Sequence, residues 1–257
     1  MSVLWGKMVT NLLEVERAGL DGFDFVQTVD DFIVHLKDED KIQLKEQIQE
    51  NGIPFMVCTV PLPGDVRVTQ KGFNLYLWIE ELKKSIGLLA ELGCSKLVWN
   101  NGRARVLPVE GEVSDLKEQV LQFLFMLCEI AMNFDMAVLV EPLGPCRTNF
   151  LNTIEEIDDF LSRAGKDNLL SMVSLREIDH IGLSLPNLGR YMYLIDHIQM
   201  ENPQRSEKTR FCPRPNDGYD YSPFVKTLED MGYSSTISLP TDADADGLAF
   251  CRSLWGE

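Results

Sequence analysis

The chain has 257 residues, of which 45% are hydrophobic and 9% aromatic, and this composition suits a large folded core and excludes a disordered chain. Its 40 acidic residues outnumber 24 basic ones, and the formal net charge of -16 disfavours general attraction to nucleic acid or to anionic membranes. A negatively charged ligand would therefore need a local basic site.

The N-terminal segment shows no basic leader followed by a long apolar stretch, and no run of about 18 apolar residues occurs along the chain. We therefore expect neither a secretion signal nor a membrane span. Cysteines are scattered without a CxxC pair, which predicts reduced thiols in a cytoplasmic protein. They are Cys58, Cys94, Cys128, Cys146, Cys212 and Cys251.

Short β-rich runs follow one another in chain order and predict eight strands. They cover residues 3–9, 23–27, 53–60, 96–100, 137–141, 169–174, 193–199 and 235–239. Segments between them place apolar residues at three- and four-residue spacing, which predicts helices. The clearest cover residues 73–92, 114–134, 153–165 and 222–232, and the last two end in glycine. A long polar loop, residues 202–218, follows the seventh strand and is of a length typical of binding elements.

Eight strand-then-helix units with strands apolar on both faces indicate parallel strands covered by helices. The simplest such arrangement is an α/β fold, a (β/α)8 barrel, formed by residues 1–257 as one domain. A doubly wound open sheet is the alternative, but its glycine-rich fingerprint after the first strand is missing. In a barrel, ligands bind where the strands end, so the residues closing each strand are the candidate site.

Polar residues close several of the predicted strands. Glu141 ends the fifth strand in "AVLVEPLGP", Ser174 ends the sixth, and Gln199 ends the seventh two residues after His197. The eighth strand runs into Pro240. Glu141 is either a ligand-binding carboxylate or a structural one paired with an arginine such as Arg147 or Arg103. His197 is either a substrate-side histidine or an inward-facing core histidine.

Most arginines follow predicted strands, on the expected ligand side of the barrel. They are Arg67, Arg103, Arg105, Arg147, Arg176, Arg205, Arg210 and Arg214. Guanidinium groups bind phosphate or carboxylate through paired hydrogen bonds, so the pattern favours an anionic small ligand. The alternative is that these arginines pair with loop acids such as Glu201, Asp217 and Asp220.

The segments "LPGDVRVTQ", "LVWNNGRARVLP", "EPLGPCRTNFLNT" and "DGYDYSPFVKTLEDMGYSSTISL" occur in an order that resembles the xylose isomerase-like TIM barrels. The nearest group within them is the sugar phosphate isomerases and epimerases, with AP endonuclease family 2 enzymes as distant relatives. The resemblance spans about residues 17–240. It implies a xylose isomerase-like barrel that handles a small carbohydrate, with Arg105, Asn149 and Arg210 as substrate-binding residues.

The resemblance also implies a divalent metal, manganese or zinc, held by Glu, Asp, His and Glu at the ends of strands five to eight. Here these positions are Glu141, Ser174, Gln199 and Pro240, and the histidine of the family's D-x-x-H sequence falls on Glu177. Neutral side chains and a proline are poor ligands for such an ion, so we expect no metal and no other cofactor. The proton-transfer base opposite Glu141 is replaced by Pro240 as well.

A shifted placement of the sixth strand would use Asp179 and His180, but it leaves only 18 residues to His197 in place of 23 from Ser174. Asp179 and His180 are therefore expected at the surface.

Three hypotheses follow for the function. In the first, the chain is a sugar phosphate isomerase/epimerase-like protein that binds or acts on a small carbohydrate or sugar phosphate after losing its metal centre. In the second, an active isomerase or epimerase works through the shifted register or through Glu141 and His197 without metal. In the third, the chain is a homo-oligomer or assembly component without a ligand.

Overall fold

The structure is a computed structural model that describes residues 3–28, 32–33, 36–204 and 209–256, with residues 49 and 51 described by their backbone alone. Eight parallel strands form a closed barrel in which each strand pairs with the next and the eighth pairs with the first. In chain order they are β1 Leu4–Val9, β2 Phe25–Thr28, β3 Val57–Thr59, β4 Lys96–Trp99, β5 Ala137–Val140, β6 Leu169–Ser174, β7 Ile195–Gln199 and β8 Thr236–Leu239.

Helices surround this barrel and connect its strands. They are α1 Leu12–Leu20, α2 Asp38–Asn51, α3 Tyr76–Glu91, α4 Val113–Met132, α5 Ile154–Ser162, α6 Leu175–His180, α7 Leu185–Arg190, α8 Ser222–Asp230 and α9 Ala245–Leu254. Short 3₁₀ turns cover Gly102–Arg105 and Met192–Leu194. Among the described helices, none is long and apolar enough to cross a bilayer.

The predicted α/β barrel is confirmed, and every predicted strand has a counterpart. The boundaries differ where local chemistry intervenes. The third strand is shorter than predicted, Val57–Thr59, because Pro54 has no backbone N–H to offer a neighbouring strand. The seventh begins late because Met192–Leu194 form a 3₁₀ turn. Arg176, placed after a strand by the sequence, lies in α6.

The core has two layers. Inside the barrel, Phe25, Val57, Val98, Leu139 and Met172, one from each of β2 to β6, form a compact apolar cluster. A larger apolar layer fills the space between the strands and the surrounding helices. All six cysteines are free thiols, and five of them are buried.

Candidate functional site

Glu141 directly follows β5 and lies at the mouth of the barrel, the end where the strands finish. Its side chain is fully buried, and neither carboxylate oxygen has a hydrogen-bond partner among the described residues. Burial raises the pKa of this carboxyl, while the charges of Arg210 and Arg147 act to lower it. An unpartnered buried carboxylate is costly, so this position calls for a proton, a water or a ligand donor.

Arg105 bonds to the backbone at the end of β5. It is fully buried in the 3₁₀ turn, and its Nη2 donates to the backbone carbonyls of Glu141 at 2.5 Å and Leu151 at 3.4 Å. Its guanidinium also lies 5.6 Å from the centre of the Trp99 ring. Burial lowers the pKa of Arg105 to about 10, so the group stays charged at neutral pH. Its Nε and Nη1 have no partner among the described residues.

Asn149 connects two loops at the mouth. Its side-chain oxygen accepts a hydrogen bond from Leu107 N at 2.8 Å, and its amide nitrogen donates to Leu107 O at 2.9 Å. These contacts tie the loop after β5 to the loop after β4. Both polar atoms of the Asn149 side chain therefore bond to the backbone of Leu107. The sequence predicted that Asn149 contacts substrate, whereas in the structure its side chain holds two loops together.

His197 lies inside the barrel on β7 and is fully buried. Its Nδ1 is 2.8 Å from Thr236 Oγ1, and its Nε2 is 3.1 Å from Gln27 Oε1. Because an amide oxygen can only accept, Nε2 carries the hydrogen. Burial, followed by the charge of Lys96, lowers the pKa of His197 well below its ordinary value, so the imidazole is neutral at pH 7.

Gln199 closes β7 and is engaged by an arginine. Arg210 Nη1 donates to Gln199 Oε1 at 2.7 Å and lies 2.8 and 2.9 Å from the two carboxylate oxygens of Glu201. Arg176 Nε approaches the same Glu201 carboxylate at 3.8 Å. Glu201 is almost fully buried, so these guanidinium groups supply the charge that its burial requires.

Ser174 and Glu177 organise the neighbouring strand end. Ser174 Oγ accepts from Glu177 N at 3.2 Å and so caps α6. The buried Glu177 carboxylate accepts from Gly144 N at 3.0 Å and lies 3.4 Å from Arg147 Nη1. Arg147 therefore pairs with Glu177 rather than with Glu141.

The mouth combines carboxylates with a larger number of guanidinium groups. The buried carboxylates are Glu141, Glu177 and Glu201, and the guanidinium groups near them are Arg105, Arg147, Arg176 and Arg210. With all of them ionised, the three negative and four positive charges sum to +1, and Glu156, whose charge also acts on Arg105, brings the sum to zero. On a chain whose formal charge is -16, a mouth without net negative charge suits an anionic ligand group better than the rest of the molecule.

The residues present do not fit the divalent metal that the resemblance implies. Gln199 Oε1 already accepts from a guanidinium, Ser174 Oγ caps a helix, and Pro240 offers no side-chain donor. Asp179 and His180 of the shifted register are exposed at the end of α6. Across the part of the chain that the structure describes, no three His, Cys, Asp or Glu side chains are arranged to hold a metal ion.

Two further arginines after the strands, Arg67 and Arg214, bind protein groups. Arg67 donates to the carbonyl of Arg103 at 3.2 Å, and Arg214 donates to Asp244 at 2.5 Å. Arg205 lies outside the described residues.

Glu201 and Gln27 are mouth residues that the sequence analysis did not select as site residues. For Glu201 a pattern was available, because His197, Gln199 and Glu201 alternate along one strand and its continuation. Alternate residues of a strand point to the same face, so the side chains of all three were predictable as facing the inside of the barrel. Gln27 offered no such pattern in the sequence.

Two grooves of about 380 and 710 Å³ lie on the outside of the molecule, along α3 and α4. Leu75, Glu118 and Gln122 line both, and the larger also contacts Phe125 and Met126. None of the polar mouth residues lines either groove. We therefore place the candidate site at the mouth on the chemistry of its side chains.

Known proteins with the same barrel fold are similar to this chain. A family model described as xylose isomerase-like TIM barrel matches residues 12–253. No curated protein sequence matches the chain. A D-psicose 3-epimerase solved in the presence of D-fructose is similar at 14% identity, with a TM-score of 0.78 over 99% of this chain and 100% of that one.

Two further structures are similar over nearly the whole chain. A 3-keto-D-glucoside 4-epimerase from E. coli has 16% identity and a TM-score of 0.76, covering 98% of this chain and 100% of that one. The IOLI protein with a bound zinc atom has 17% identity and a TM-score of 0.73, covering 98% and 96%. At such identities the similarity concerns the architecture.

Proposed function

The chain belongs to the xylose isomerase-like TIM barrel family, and on that basis we propose that its mouth binds a small carbohydrate with a negatively charged group, without a divalent metal ion. Such a protein is sugar isomerase/epimerase-like in its fold and in its ligand. Similar structures support the carbohydrate, since they include enzymes named for D-psicose and for a 3-keto-D-glucoside.

The observation that carries this proposal is the buried carboxylate of Glu141, which has no hydrogen-bond partner within the part of the chain that the structure describes. A carboxylate can only accept hydrogen bonds, and sugar hydroxyls are donors of matching size and number. The cluster of guanidinium groups around it supports a phosphate or carboxylate group on the same ligand. Binding would then replace the missing partners of Glu141 and place the anionic group beside the guanidinium groups.

Thermal unfolding tests the proposal directly. Keto-sugars, sugar phosphates and sugar acids are added singly, and a ligand present at 100 times its Kd stabilises the folded state by about 2.7 kcal/mol. We expect an anionic sugar to raise the Tm of the wild-type chain, and Glu141→Gln to weaken that response at least tenfold in apparent Kd. Glu112→Gln, at an exposed carboxylate before α4, is the matched control.

A panel in which no compound raises the Tm contradicts the proposal. So does an equal response from the wild-type chain and Glu141→Gln.

A second candidate function is metal-free proton transfer by Glu141. The observation that favours it is the complete burial of this carboxyl, which raises its pKa and so makes the carboxylate a stronger base. A single base can move a proton between neighbouring carbons on one face of a sugar, whereas epimerisation by two opposed carboxylates lacks its second base here. Incubation of keto-sugars in heavy water tests this, and deuterium beside the carbonyl that is absent with Glu141→Gln is the expected result. Failure to find deuterium with any ligand that binds excludes this second function.

A further inference from the structure

The mouth buries more negative charge than uncharged neighbours could tolerate. Glu141, Glu177 and Glu201 are each at most 2% exposed. A buried carboxylate is stable only when a cation or several donors lie beside it. Some fixed cation is therefore part of the folded structure at this place.

Arg210 supplies that cation. Its Nη1 lies within 2.9 Å of three oxygens, one from Gln199 and two from Glu201. Gln199 is the position where the resemblance expects a histidine ligand of the metal. Among the charges that act on Glu141, that of Arg210 has the largest effect. One guanidinium thus bonds the metal-ligand position on β7, pairs with Glu201 and acts on the charge of Glu141.

A divalent ion at the same place would be opposed by this arrangement. An ion within reach of Gln199 Oε1 would lie a few ångströms from the guanidinium, and the repulsion between like charges at such separations is large in a low-dielectric interior. The four positions that the resemblance assigns would offer the ion one carboxylate, a glutamine amide, a helix-capping serine and a proline, whereas metal sites in proteins use three or more good donors.

We propose that the guanidinium of Arg210 takes the place of the divalent metal ion of related barrels, as a permanent organic cation held by Gln199 and Glu201. The ligand class rests on the proposed function: the guanidinium then binds an oxygen of the carbohydrate or its anionic group. The cation replacement itself stands on the contacts of Arg210 and is tested without any sugar.

The first experiment uses the wild-type chain alone. Protein purified and dialysed without chelator is analysed for bound metals and then titrated with Mn²⁺ and Zn²⁺ while the Tm is recorded. We expect less than about one tenth of an equivalent of metal, and a Tm that neither EDTA nor added metal changes. Stoichiometric, EDTA-removable metal that raises the Tm would overturn the proposal.

The second experiment removes the guanidinium and returns it. Arg210→Ala leaves Glu201 with less compensation, and we expect a Tm lower by roughly 5 °C. Millimolar methylguanidinium, well below denaturing concentrations, should restore part of that loss. Arg252→Ala is the matched control, because Arg252 pairs with Asp24 away from the mouth. No rescue of Arg210→Ala, or equal rescue of the control, contradicts the proposal.

Arg210→Lys covers the case in which the alanine variant does not fold. It keeps the charge but loses the planar fork, so we expect a folded protein that still binds no metal. Metal binding by the lysine variant contradicts the proposal. A chain that binds no metal and shows guanidinium rescue but responds to no sugar refutes the proposed function alone. Tight metal binding together with sugar binding refutes the cation replacement alone.

Discussion

His197 shows how the interior of the barrel sets the state of one side chain. The imidazole is fully buried between Thr236 and Gln27 and close enough to Lys96 to be affected by its charge. Burial and the charge of Lys96 favour the neutral ring, and the contact with Thr236 opposes them only in part. His197 therefore binds a proton less tightly in the folded chain than in the unfolded chain.

This difference predicts a pH dependence of stability. The pKa of His197 is lower in the folded chain than its ordinary value of 6.5, so stability is complete above pH 6.5 and is lost as the pH falls below it. The loss from one such group is at most about 1.4 kcal/mol per pH unit. We expect His197→Gln to reduce this slope, as measured by urea unfolding at several pH values between 7.5 and 5.

His180→Gln controls for the loss of a surface histidine, since His180 lies exposed at the end of α6 with its Nδ1 3.8 Å from Glu177 Oε1. The slope should fall more in His197→Gln than in this control. An unchanged slope in His197→Gln would show that the imidazole is not held neutral by folding.

At the scale of elements, β1 depends on the absence of a side chain at Gly6. A Cβ built there would lie 2.2 Å from the Phe25 ring, which belongs to the apolar cluster inside the barrel. In α3, by contrast, a Cβ at Gly87 would meet only Phe134, at an ordinary distance of 3.5 Å. The lack of a side chain at Gly6 is therefore required by the Phe25 ring, whereas Gly87 has space for a Cβ.

These two sites predict opposite effects of the same substitution. Gly6→Ala should destabilise the fold by about 1–3 kcal/mol, because the overpacked ring cannot move without disturbing the cluster. Gly87→Ala should stabilise it by up to about 1 kcal/mol, because alanine restricts the unfolded chain and suits a helix. Urea unfolding of both variants measures the difference. Equal effects would contradict the close contact between β1 and Phe25.

The sequence predicted the elements better than their contacts. Short β-rich runs predicted the strands, and three- and four-residue spacing of apolar residues predicted the main helices between them. Ser174 and Gln199 end their strands as predicted, and Glu141 directly follows β5. The hydrogen-bond and ion-pair partners of these residues could not be predicted as well from the sequence. Arg147 was a candidate partner for Glu141 but pairs with Glu177, because pairing depends on how a loop folds back and not on spacing along the chain.

The two terminal parts of the chain meet and close the barrel. The first and eighth strands pair, and the ring of Trp5 meets that of Trp255 edge to face at 5.4 Å. In a closed barrel no strand can leave without breaking two neighbouring ladders. Loss of either end of the chain from the barrel therefore disturbs all of it.

This closure is the basis for predicting one cooperative unfolding transition from one domain. Tryptophan fluorescence and far-UV circular dichroism should give coincident urea midpoints, since both report the same barrel. Two separate transitions, or midpoints that differ between the probes, would show that part of the chain folds on its own.

The hydrogen bonds through the barrel also have a direction. Lys96 Nζ can only donate, and it gives a hydrogen to Thr236 Oγ1 at 3.1 Å. Since Nε2 of His197 carries the hydrogen of the neutral ring, Nδ1 accepts from the Thr236 hydroxyl, and Nε2 donates to Gln27. The hydrogens in this series run in one direction, from Lys96 through Thr236 and His197 to Gln27. Both ring nitrogens of His197 are thus engaged by protein groups, one as an acceptor and one as a donor, so the imidazole is a fixed link between β8 and β2.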